Sequence, residues 1–551
     1  MIRIKITYFF FLCLFLLIIV KLFYLQFLNQ KSGTDYYLKT NKISAERGRI
    51  FDINGLPLAV NKTNFLLFAE PRKIKDKDYL IEKIDNVLEM DQASLSALID
   101  MKKSWAAITV IDEQKKDIIK NLNLEGLGFE ERTQRYYPEA SLAAHLLGFV
   151  GKDINGEDVG YVGAEGFYNK ELAGMPGVIK TERDLLNRPI LIGTQEKVDS
   201  EDGRDLYLTI DKTVQEITKT ELNNGMERYR AAKGCAIVAD PQTMKILALS
   251  CLPDFDVEKY YEFTEEQFKN IAISDLFEPG SIFKPLIMAA ALEEKKIKPD
   301  DIYNETGPIK IAEYQIKTWN EKYEGKISMT RILEKSSNVG MVYIGEKLGA
   351  NKIYEYLQKY GFGEITGIDL QGETPGYLKP QKSWYPIDYS VVTFGQGIAT
   401  TPIQIIRAFA SIINGGKLIK PHILGEIANG EKKQKIQPDV VNRVISEDTS
   451  KIIRKMLLAT VENGDSKWAK PVGYLIGGKT GTAQIPIAGH YDPTKTVASF
   501  VGFAPYNNPK FIVLVTLREP KTSPWGSETA APIFFEIAKK LLVYYNIAPG
   551  Q

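Results

Sequence analysis

The sequence predicts a mixed α+β fold: one N-terminal transmembrane helix, a glycine-rich domain, and a larger domain of strands flanked by helices. An unbroken apolar run near the N-terminus predicts the transmembrane helix. Segments that alternate apolar and polar residues, such as DLYLTID from Asp205, predict strands. Stretches with apolar residues every three to four positions, such as TVQEITKTELNNGMERY, predict helices. Both patterns occur together in one large region, which is typical of an α+β domain.

The chain of 551 residues has an ordinary globular composition, with 44% hydrophobic and 25% charged residues. Its 70 Lys and Arg nearly balance its 69 Asp and Glu, so it lacks the basic excess that indicates nucleic-acid binding. Three His and three Cys, without a C-x-x-C or H-E-x-x-H motif, are too few and too scattered for most zinc sites. We therefore expect neither a nucleic-acid partner nor a metal cofactor.

The predicted transmembrane helix spans residues 6–28. This length is enough to cross a bilayer core of about 30 Å, and Lys21 near the far end can extend toward the headgroups. A cleaved signal peptide is the alternative, but no small-x-small cleavage site follows the run. Because Arg3 and Lys5 precede the run, the positive-inside rule predicts that residues 1–5 are cytoplasmic and that the chain after the helix is not.

Two further domains are predicted after the anchor. Frequent glycines and turn signals such as Asn54-Gly55 predict an irregular, non-catalytic domain over residues 29–200. The polar string KVDSEDGR predicts a boundary, and residues 205–551 form the predicted large domain. Within it we expect a long helical insert from about Glu278 to Phe362 and a closing helix from Ala530 to Tyr545.

The apolar runs Ala236–Ala239 and Ile246–Leu249 flank a DPQT turn and predict a β-hairpin. Cys235 and Cys251 stand at its open end. They could face each other, but a register slip of one residue would place them on opposite faces of the hairpin. We expect two buried free thiols, because Cys often behaves as a small hydrophobic residue.

The first candidate catalytic motif is the string EPGSIFKP, in which Ser281 and Lys284 are three residues apart. Gly280 can turn the chain, and a helix is predicted to begin near Ser281, with Pro285 tolerated in its first turn. Residues three apart share a helix face, so the lysine could take the serine proton if burial and neighbouring cations lowered its pKa. Taken alone, the pattern is more simply explained as a solvated helix start.

The second motif is KSSNVGM, which places Ser336 and Asn338 two residues apart before a predicted helix. Both side chains could project toward one spot, where the serine can relay a proton and the asparagine can both donate and accept hydrogen bonds. Taken alone, this motif is more simply explained as the N-cap of the helix that follows.

The third motif is GGKTGTAQ, which contains Lys479. The paired glycines allow close approach to the backbone, and the threonines favour a strand. The longer string GYLIGGKT also matches the phosphate-binding pattern G-x-x-x-x-G-K-[ST]. Because the intervening residues favour a strand and no apolar helix follows, we expect a strand rather than a nucleotide site.

The three motifs in this order are far more specific than any one of them. S-x-x-K, S-x-N and K-T-G in succession are typical of serine acyl-enzymes that act on penicillin-like and D-Ala-D-Ala substrates. The spacings are 55 residues from Ser281 to Ser336 and 143 from Ser336 to Lys479. They leave room for an insert and for a return to the sheet.

The chain resembles the class B penicillin-binding proteins, the monofunctional peptidoglycan transpeptidases, over nearly everything that follows the anchor. RGRIFDINGLPLA, RYYPEASLAAHLLGFVG and GAEGFYNKELAGMPG resemble the N-terminal, non-catalytic part of the family. VADPQTMKILAL, FGQGIATTPIQIIRAFASIINGGKLIKPHI and SFVGFAPYNNPKFIVLVTLREP resemble its catalytic domain. The resemblance implies an elongated pedestal of the dimerisation type at 29–200. At 205–551 it implies a β-lactamase-like transpeptidase domain with a central antiparallel sheet flanked by helices.

The resemblance also implies roles for the residues of the three motifs. Ser281 would be the nucleophile and Lys284 its general base. Ser336 would relay a proton to the departing D-Ala amine, and Asn338 would hold an amide of the stem peptide. Lys479 would keep the pocket positive and help to keep Lys284 neutral.

The remaining implied roles concern the K-T-G strand. Thr480, Gly481 and Thr482 would bind the substrate, with the two threonines holding its terminal carboxylate. The backbone N–H groups of Ser281 and Thr482 would form the oxyanion hole. The implied chemistry needs no metal and no cofactor.

The glutamate of EPGSIFKP, the string KSSNVGM and the ending ETAAPIFFEIAKKLLVYYNIAP resemble the division-specific, septal branch of the family. An elongation-type or sporulation-type enzyme is the alternative. No glycosyltransferase signature precedes the motifs, so we do not expect the bifunctional class A arrangement.

The implied location is the cytoplasmic membrane. The implied partners are peptidoglycan stem peptides, β-lactam antibiotics, a membrane-embedded glycan polymerase and other division proteins.

Two positions depart from the family pattern. Met244 stands where the family often has Gly in a hairpin turn, and Ile282 replaces the more usual Thr beside the nucleophile. We expect the first to affect the turn type and the second to have little effect. Two other functions remain open: a D,D-carboxypeptidase or β-lactamase on the same scaffold, and an inactive scaffold that only recruits division proteins.

Overall fold

The computed structural model describes residues 2–24, 26, 38–182, 195–487 and 490–550. The chain divides into two compact units, residues 1–47 with 173–203 and residues 48–172 with 204–551.

In chain order the helices are α1 (Ile2–Phe23), α2 (Lys77–Leu88), α3 (Gln92–Leu98), α4 (Glu113–Asn121), α5 (Ala144–Leu147), α6 (Gly163–Phe167), α7 (Asn169–Ala173), α8 (Lys212–Tyr229), α9 (Glu265–Phe268), α10 (Ile271–Ser274), α11 (Lys284–Glu293), α12 (Met329–Glu334), α13 (Asn338–Leu348), α14 (Ala350–Lys359), α15 (Pro386–Val391), α16 (Pro402–Ile413), α17 (Glu447–Asn463) and α18 (Ala530–Tyr544). The strands are β1 (Leu38–Ile43), β2 (Ile50–Phe51), β3 (Pro57–Ala69), β4 (Ala106–Ile111), β5 (Leu127–Tyr136), β6 (Phe149–Lys152), β7 (Asp158–Tyr161), β8 (Gly177–Glu182), β9 (Gln195–Val198), β10 (Asp205–Leu208), β11 (Lys233–Ala239), β12 (Ile246–Leu252), β13 (Ile302–Glu305), β14 (Ile309–Ile311), β15 (Tyr314–Ile316), β16 (Gly325–Ser328), β17 (Lys417–Ile419), β18 (Leu424–Asn429), β19 (Lys432–Lys435), β20 (Val440–Arg443), β21 (Gly477–Ile487), β22 (His490–Ala504) and β23 (Phe511–Arg518).

Helix α1 coincides with most of the predicted transmembrane segment. Its apolar stretch covers 20 residues, Ile4–Phe23, with exposed side chains, and within the described ranges it is the helix long and apolar enough to cross a membrane. It begins four residues before the predicted start at Ile6, and predicted residues 25, 27 and 28 lie outside the described ranges. The helix therefore fits a transmembrane anchor.

The smaller unit contains a three-stranded antiparallel sheet in the order β1-β8-β9. The larger unit begins with a different sheet, ordered β19-β18-β10-β2-β3-β4, to which β5 adds by pairing with β3. Helices α2, α3 and α4 cover one part of this second sheet. Their apolar side chains form a separate core with those of β3 and β4, including Leu67, Ile84, Leu95 and Ile119.

A five-stranded sheet in the order β12-β11-β23-β22-β21 forms the centre of the larger unit, and every neighbouring pair is antiparallel. Helices α8 and α18 pack on one face around a core that includes Phe500, Phe511 and Phe534. Helices α10, α16 and α17 contact strands of the same sheet, and α11 packs among α13, α16 and α17. The predicted central antiparallel sheet flanked by helices is confirmed, and β21 lies at its edge.

The hairpin of β11 and β12 forms as predicted, but the expectation of two free thiols is wrong. Cys235 and Cys251 are joined in a disulfide. They are directly opposite each other in the β11–β12 register, which shifts only further along, between Val238 and Ala239. The register therefore decides the pairing that the sequence left open. Met244, in the turn, has φ of +56°, the left-handed conformation that favours Gly.

The region from Glu278 to Phe362 is not wholly helical, which corrects a second expectation. Two small antiparallel sheets, β13 with β16 and β14 with β15, lie between α11 and α12. The strings Ile309–Ile311 and Tyr314–Ile316 alternate apolar and polar residues, a strand pattern that the helical interpretation passed over. Helices α11 to α14 account for most of the rest of the insert.

Candidate active site

The three sequence motifs come from distant parts of the chain and meet at the edge of the central sheet. Ser281 lies in a 3-10 turn, Gly280–Phe283, that leads directly into α11. Every residue of α11 from Lys284 to Leu292 is buried, so this helix is a core element and not a solvated helix start. The turn packs against β21, which carries the K-T-G motif.

A close backbone contact fixes the turn before Ser281. The N–H of Gly280 donates to the carbonyl oxygen of Gly395 at 3.0 Å. Gly395 has φ of +81°, and a Cβ there would lie 2.2 Å from the Gly280 carbonyl oxygen. Only Gly fits at position 395. Gly395 belongs to the FGQG string of the family resemblance, and this string therefore packs against the turn that precedes Ser281.

The Lys284 side chain is fully buried beneath the S-x-N motif and makes three hydrogen bonds to it. Its Nζ donates to the Ser336 carbonyl oxygen at 2.5 Å and to the Ser336 hydroxyl at 3.2 Å. It also donates to Oδ1 of Asn338 at 2.8 Å. The first two motifs are therefore joined through one lysine.

Lys479 approaches the same serine hydroxyl from the sheet. Its Nζ lies 3.0 Å from Ser336 Oγ and also donates to the carbonyl oxygen and the hydroxyl of Thr480, at 3.1 and 3.3 Å. Lys479 is 1% exposed, and Lys284 is 0% exposed. Ser336 Oγ therefore lies between two buried lysine amines, and all three motifs are connected.

Burial lowers the pKa of both amines, and the positive charge of Lys479 adds to the effect on Lys284. Removal from water lowers the pKa of Lys284 well below its usual value, the positive charge of Lys479 lowers it further, and the Glu305 carboxylate opposes the change. Burial lowers the pKa of Lys479 to about 8, and Asp465 opposes this shift. A lysine with a depressed pKa can accept a proton near neutral pH, as a general base must.

The loop that carries Ser336 is held in an uncommon conformation. Ser336 has φ of +55°, which is rare for a residue other than Gly. The next residue, Ser337, caps α13: its hydroxyl accepts from the N–H of Gly340 at 2.9 Å and donates to the buried carboxylate of Glu305. The cap is thus Ser337, while Ser336 and Asn338 face the lysine.

Strand β21, at the edge of the central sheet, lines the cleft. A Cβ on Gly481 would lie 2.9 Å from Ile282 and 3.2 Å from the Pro279 carbonyl, so this glycine permits close packing of strand and serine turn. The hydroxyl of Thr482 accepts from the N–H of Gly526 at 3.0 Å. The motif forms a strand, as expected, and not a phosphate-binding loop.

A cleft of about 670 Å³ lies in front of these elements. Ser281 lines it, and the ring centroids of Trp319 and Trp525, both exposed, lie 5.1 Å apart at its border. The other predicted site residues that line the cleft are Ser336, Asn338, Thr480, Gly481 and Thr482. The predicted residues Lys284 and Lys479 lie buried behind Ser336. All the predicted residues are therefore brought together.

Sequence reasoning missed two carboxylates near the site. Glu305 comes from β13, within the part of the insert that was expected to be helical, and no motif marks it. Glu278 stands inside EPGSIFKP, but nothing in the sequence indicated its contacts with Gly397 and Tyr491. Ile282, which stands where the family more often has Thr, is fully buried.

Comparison with known proteins agrees with this geometry. Residues 234–539 match the model of the penicillin-binding protein transpeptidase domain, and residues 42–208 match that of the penicillin-binding protein dimerisation domain. Stage V sporulation protein D of Bacillus subtilis is 34% identical over 98% of this chain and 85% of its own length. The peptidoglycan D,D-transpeptidase FtsI of Escherichia coli K12 is 28% identical over 94% and 87%.

Solved structures show the same fold. Penicillin-binding protein 2X of Streptococcus thermophilus superposes with a TM-score of 0.79 at 24% identity, over 92% of this chain and 80% of that one. A peptidoglycan synthetase of Bifidobacterium adolescentis gives 0.75 at 28% identity, over 93% and 98%. The chain belongs to the class B penicillin-binding protein family. Its C-terminal part is a penicillin-binding transpeptidase domain.

Proposed function

We propose that this protein is a serine acyl-enzyme that cross-links peptidoglycan stem peptides as a D,D-transpeptidase and is covalently inhibited by β-lactams. One observation supports this best: the Ser336 hydroxyl lies between two buried lysine amines, behind the cleft that Ser281 lines. Neither a structural helix start nor a phosphate-binding loop requires that arrangement. The roles below follow the family resemblance residue by residue.

In the first half-reaction, Ser281 Oγ attacks the carbonyl carbon of the penultimate D-Ala. Lys284, whose pKa burial and Lys479 lower, takes the serine proton. The bond to the terminal D-Ala then breaks, and Ser336 passes a proton to the departing amine. Ser336 suits this relay because its oxygen contacts both lysines.

Substrate binding is assigned to the edge of β21 and to Asn338. The N–H groups of Ser281 and Thr482 would stabilise the tetrahedral oxyanion, a contribution of roughly 3 kcal/mol per donor. Thr480 and Thr482 would hold the terminal carboxylate. The Thr482 hydroxyl already accepts from Gly526, which leaves its own proton to donate. The amide nitrogen of Asn338 donates to the Lys317 carbonyl at 3.1 Å and would turn to a substrate amide.

In the second half-reaction, the amine of a neighbouring stem peptide attacks the acyl-enzyme ester and releases Ser281. If water replaced the amine, the enzyme would be a D,D-carboxypeptidase or, with a penicillin, a β-lactamase. Incubation of the full chain with a D-Ala-D-Ala pentapeptide and an amine acceptor tests this directly. We expect a cross-linked product that Ser281→Ala lacks. Release of D-Ala without that product would favour the hydrolase.

The domain organisation and membrane placement are part of the same proposal. Residues 1–5 would be a cytoplasmic tail, 6–28 the anchor, 29–200 the pedestal and 205–551 the transpeptidase domain. The apolar helix α1 supports a membrane anchor, and the basic residues Arg3 and Lys5 support an N-terminus on the cytoplasmic side of the membrane. The catalytic domain would then lie on the opposite side. A membrane-embedded glycan polymerase and other division proteins are the proposed partners.

We propose a role at the division septum, as the motif flanks suggest. A sporulation role is the second candidate, because the sporulation protein of Bacillus subtilis is 34% identical over 98% of the chain. A fluorescent fusion, observed in dividing and in sporulating cells of the source organism, distinguishes them. Enrichment at every septum would support the first role. Enrichment only during sporulation would support the second.

A further inference from the structure

A second cavity, of about 430 Å³, lies beside the catalytic cleft. Gln484 on β21 lines both spaces, so the cavity and the cleft meet at that strand. None of the roles proposed above uses this cavity. Its apolar lining residues include Phe277, Ile398, Ala483, Ile485, Pro486 and Val497.

Two oppositely charged side chains, Glu278 and Arg518, also line this cavity. Both are half-buried, and neither takes part in a side-chain ion pair with any of the residues that the structure describes. The Glu278 carboxylate accepts from the N–H of Gly397 at 2.9 Å and from the hydroxyl of Tyr491 at 3.0 Å. Within the described part of the chain, this carboxylate and this guanidinium have no ion-pair partner, so together they are complementary to a ligand that carries both charges.

The partial burial of Glu278 also favours a cationic group of a ligand beside its carboxylate. Removal from water raises the pKa of Glu278, and the hydrogen bonds from Gly397 and Tyr491 only partly oppose this. A cation placed against Glu278 would therefore stabilise its charged form more than it would stabilise an exposed carboxylate. Arg518 offers a planar fork of donors, the geometry that binds a carboxylate with two parallel hydrogen bonds.

We propose that this cavity binds the zwitterionic side-chain end of a diamino acid of the stem peptide. The ammonium group lies at Glu278, the carboxylate lies at Arg518, and the aliphatic stem lies against the apolar wall. This proposal rests on the proposed transpeptidase function, because stem peptides reach the cavity through the cleft. Glu278 precedes Ser281 by only three residues, so its Cα lies within about 11 Å of that of the serine.

Other ligand classes fit the cavity less well. A purely apolar group would leave both charges desolvated and unpaired, which is costly. A dicarboxylate would be repelled by Glu278, and a simple diamine would leave Arg518 unsatisfied. A diamino acid that carries an ammonium and a carboxylate on one carbon, as diaminopimelate does, satisfies both. Lysine, which has only the ammonium at that end, would satisfy Glu278 alone.

Both substrates of a transpeptidase contain such a residue, so the test has two arms. The full chain in detergent micelles is given synthetic stem peptides whose third residue is diaminopimelate, lysine or uncharged norleucine. In the donor arm these peptides end in D-Ala-D-Ala and the release of D-Ala is measured. In the acceptor arm the donor is constant, the three peptides supply the amine or its uncharged replacement, and product or competitive inhibition is measured.

The variants are Glu278→Gln, which keeps the hydrogen bonds from Gly397 and Tyr491, and Arg518→Gln. Glu216→Gln on the exposed face of α8 is the matched control for loss of a carboxylate. Each rate is divided by the rate at which the same variant is labelled by a fluorescent penicillin. Failure of labelling in the parent chain would count against the proposed function and would be visible separately from the cavity.

We expect Glu278→Gln to raise KM, or the inhibition constant, by about tenfold for the diaminopimelate and lysine peptides and not for norleucine. Arg518→Gln should do so for the diaminopimelate peptide alone. An effect confined to one arm assigns the site to the donor or to the acceptor. Equal effects on all three peptides, or no effect in either arm, would overturn the proposal.

Discussion

At the scale of single residues, the site is organised by one hydroxyl. Ser336 Oγ lies 3.2 Å from the amine of Lys284 and 3.0 Å from that of Lys479, and both amines are buried. Two ammonium groups so close to one oxygen would repel each other strongly in a medium of low dielectric constant. The protonation states of the two lysines are therefore coupled, and the pKa of Lys284 is driven down.

The first prediction concerns Lys479→Gln. Removal of the neighbouring cation removes a repulsion that disfavours protonated Lys284, so the pKa of Lys284 rises. Acylation needs neutral Lys284, so the pH at which labelling by a fluorescent penicillin is half-maximal should move up by about one unit. The maximal rate should fall as well, because Lys479 contacts Ser336. A half-maximal pH that stays or moves down would contradict this coupling.

Glu305→Gln gives the second prediction, with the opposite sign. The Glu305 carboxylate favours protonated Lys284, so its loss lowers the pKa of Lys284 further and should move the half-maximal pH of penicillin labelling downward. Gln keeps an oxygen for the Ser337 hydroxyl, so the loop conformation can persist. Thermal unfolding serves as the control. A lower melting temperature without a shift in the pH profile would assign Glu305 a purely structural role.

At the scale of elements, strands and helices with strong periodicity were predictable, and register was not. The hairpin of β11 and β12 followed from two apolar runs around a turn, and α18 followed from its apolar pattern. The disulfide depends on which residues face each other across the hairpin, which a slip of one residue would change. The strands β13 to β16 are three or four residues long, too short to show a clear period within a region rich in helices.

The third prediction belongs to this hairpin. Replacement of both Cys235 and Cys251 by Ala removes a cross-link between residues 16 apart in sequence. The free energy of unfolding should fall by roughly 3 kcal/mol. Denaturant titration of the purified chain measures it, with Cys13→Ala as the control.

Thiol counting tests the bond itself. Alkylation under denaturing conditions should modify only Cys13 without reductant, and all three cysteines with it. Modification of three cysteines without reductant would contradict the disulfide.

At the scale of the whole molecule, the order of the three motifs predicted that their residues lie together, but their spacing could not predict the geometry. Separations of 55 and 143 residues say nothing about distance, and only the fold brings β21 against the turn before α11. Glu305 and the cavity of Glu278 were unpredictable for the same reason, because their partners come from other elements. The family resemblance, in contrast, covered almost the entire chain.

The fourth prediction concerns the anchor. Helix α1 exposes an apolar surface from Ile4 to Phe23, so the full chain should remain with membranes after washing at high pH and high salt. A chain that begins at Asn29 should be released. An externally added protease that degrades the catalytic domain in spheroplasts, but not in intact inside-out vesicles, would support the proposed orientation. The reverse pattern would contradict it.

The central claim is that Ser281 forms a covalent acyl-enzyme, and intact-mass measurement over time tests it most directly. The full chain in detergent is incubated with a penicillin beside Ser281→Ala. We predict that the parent gains the mass of one intact penicillin and keeps it for hours, while the variant gains none. An equal adduct on the variant would contradict the assignment of Ser281. An adduct that disappears within minutes would contradict transpeptidation in favour of hydrolysis.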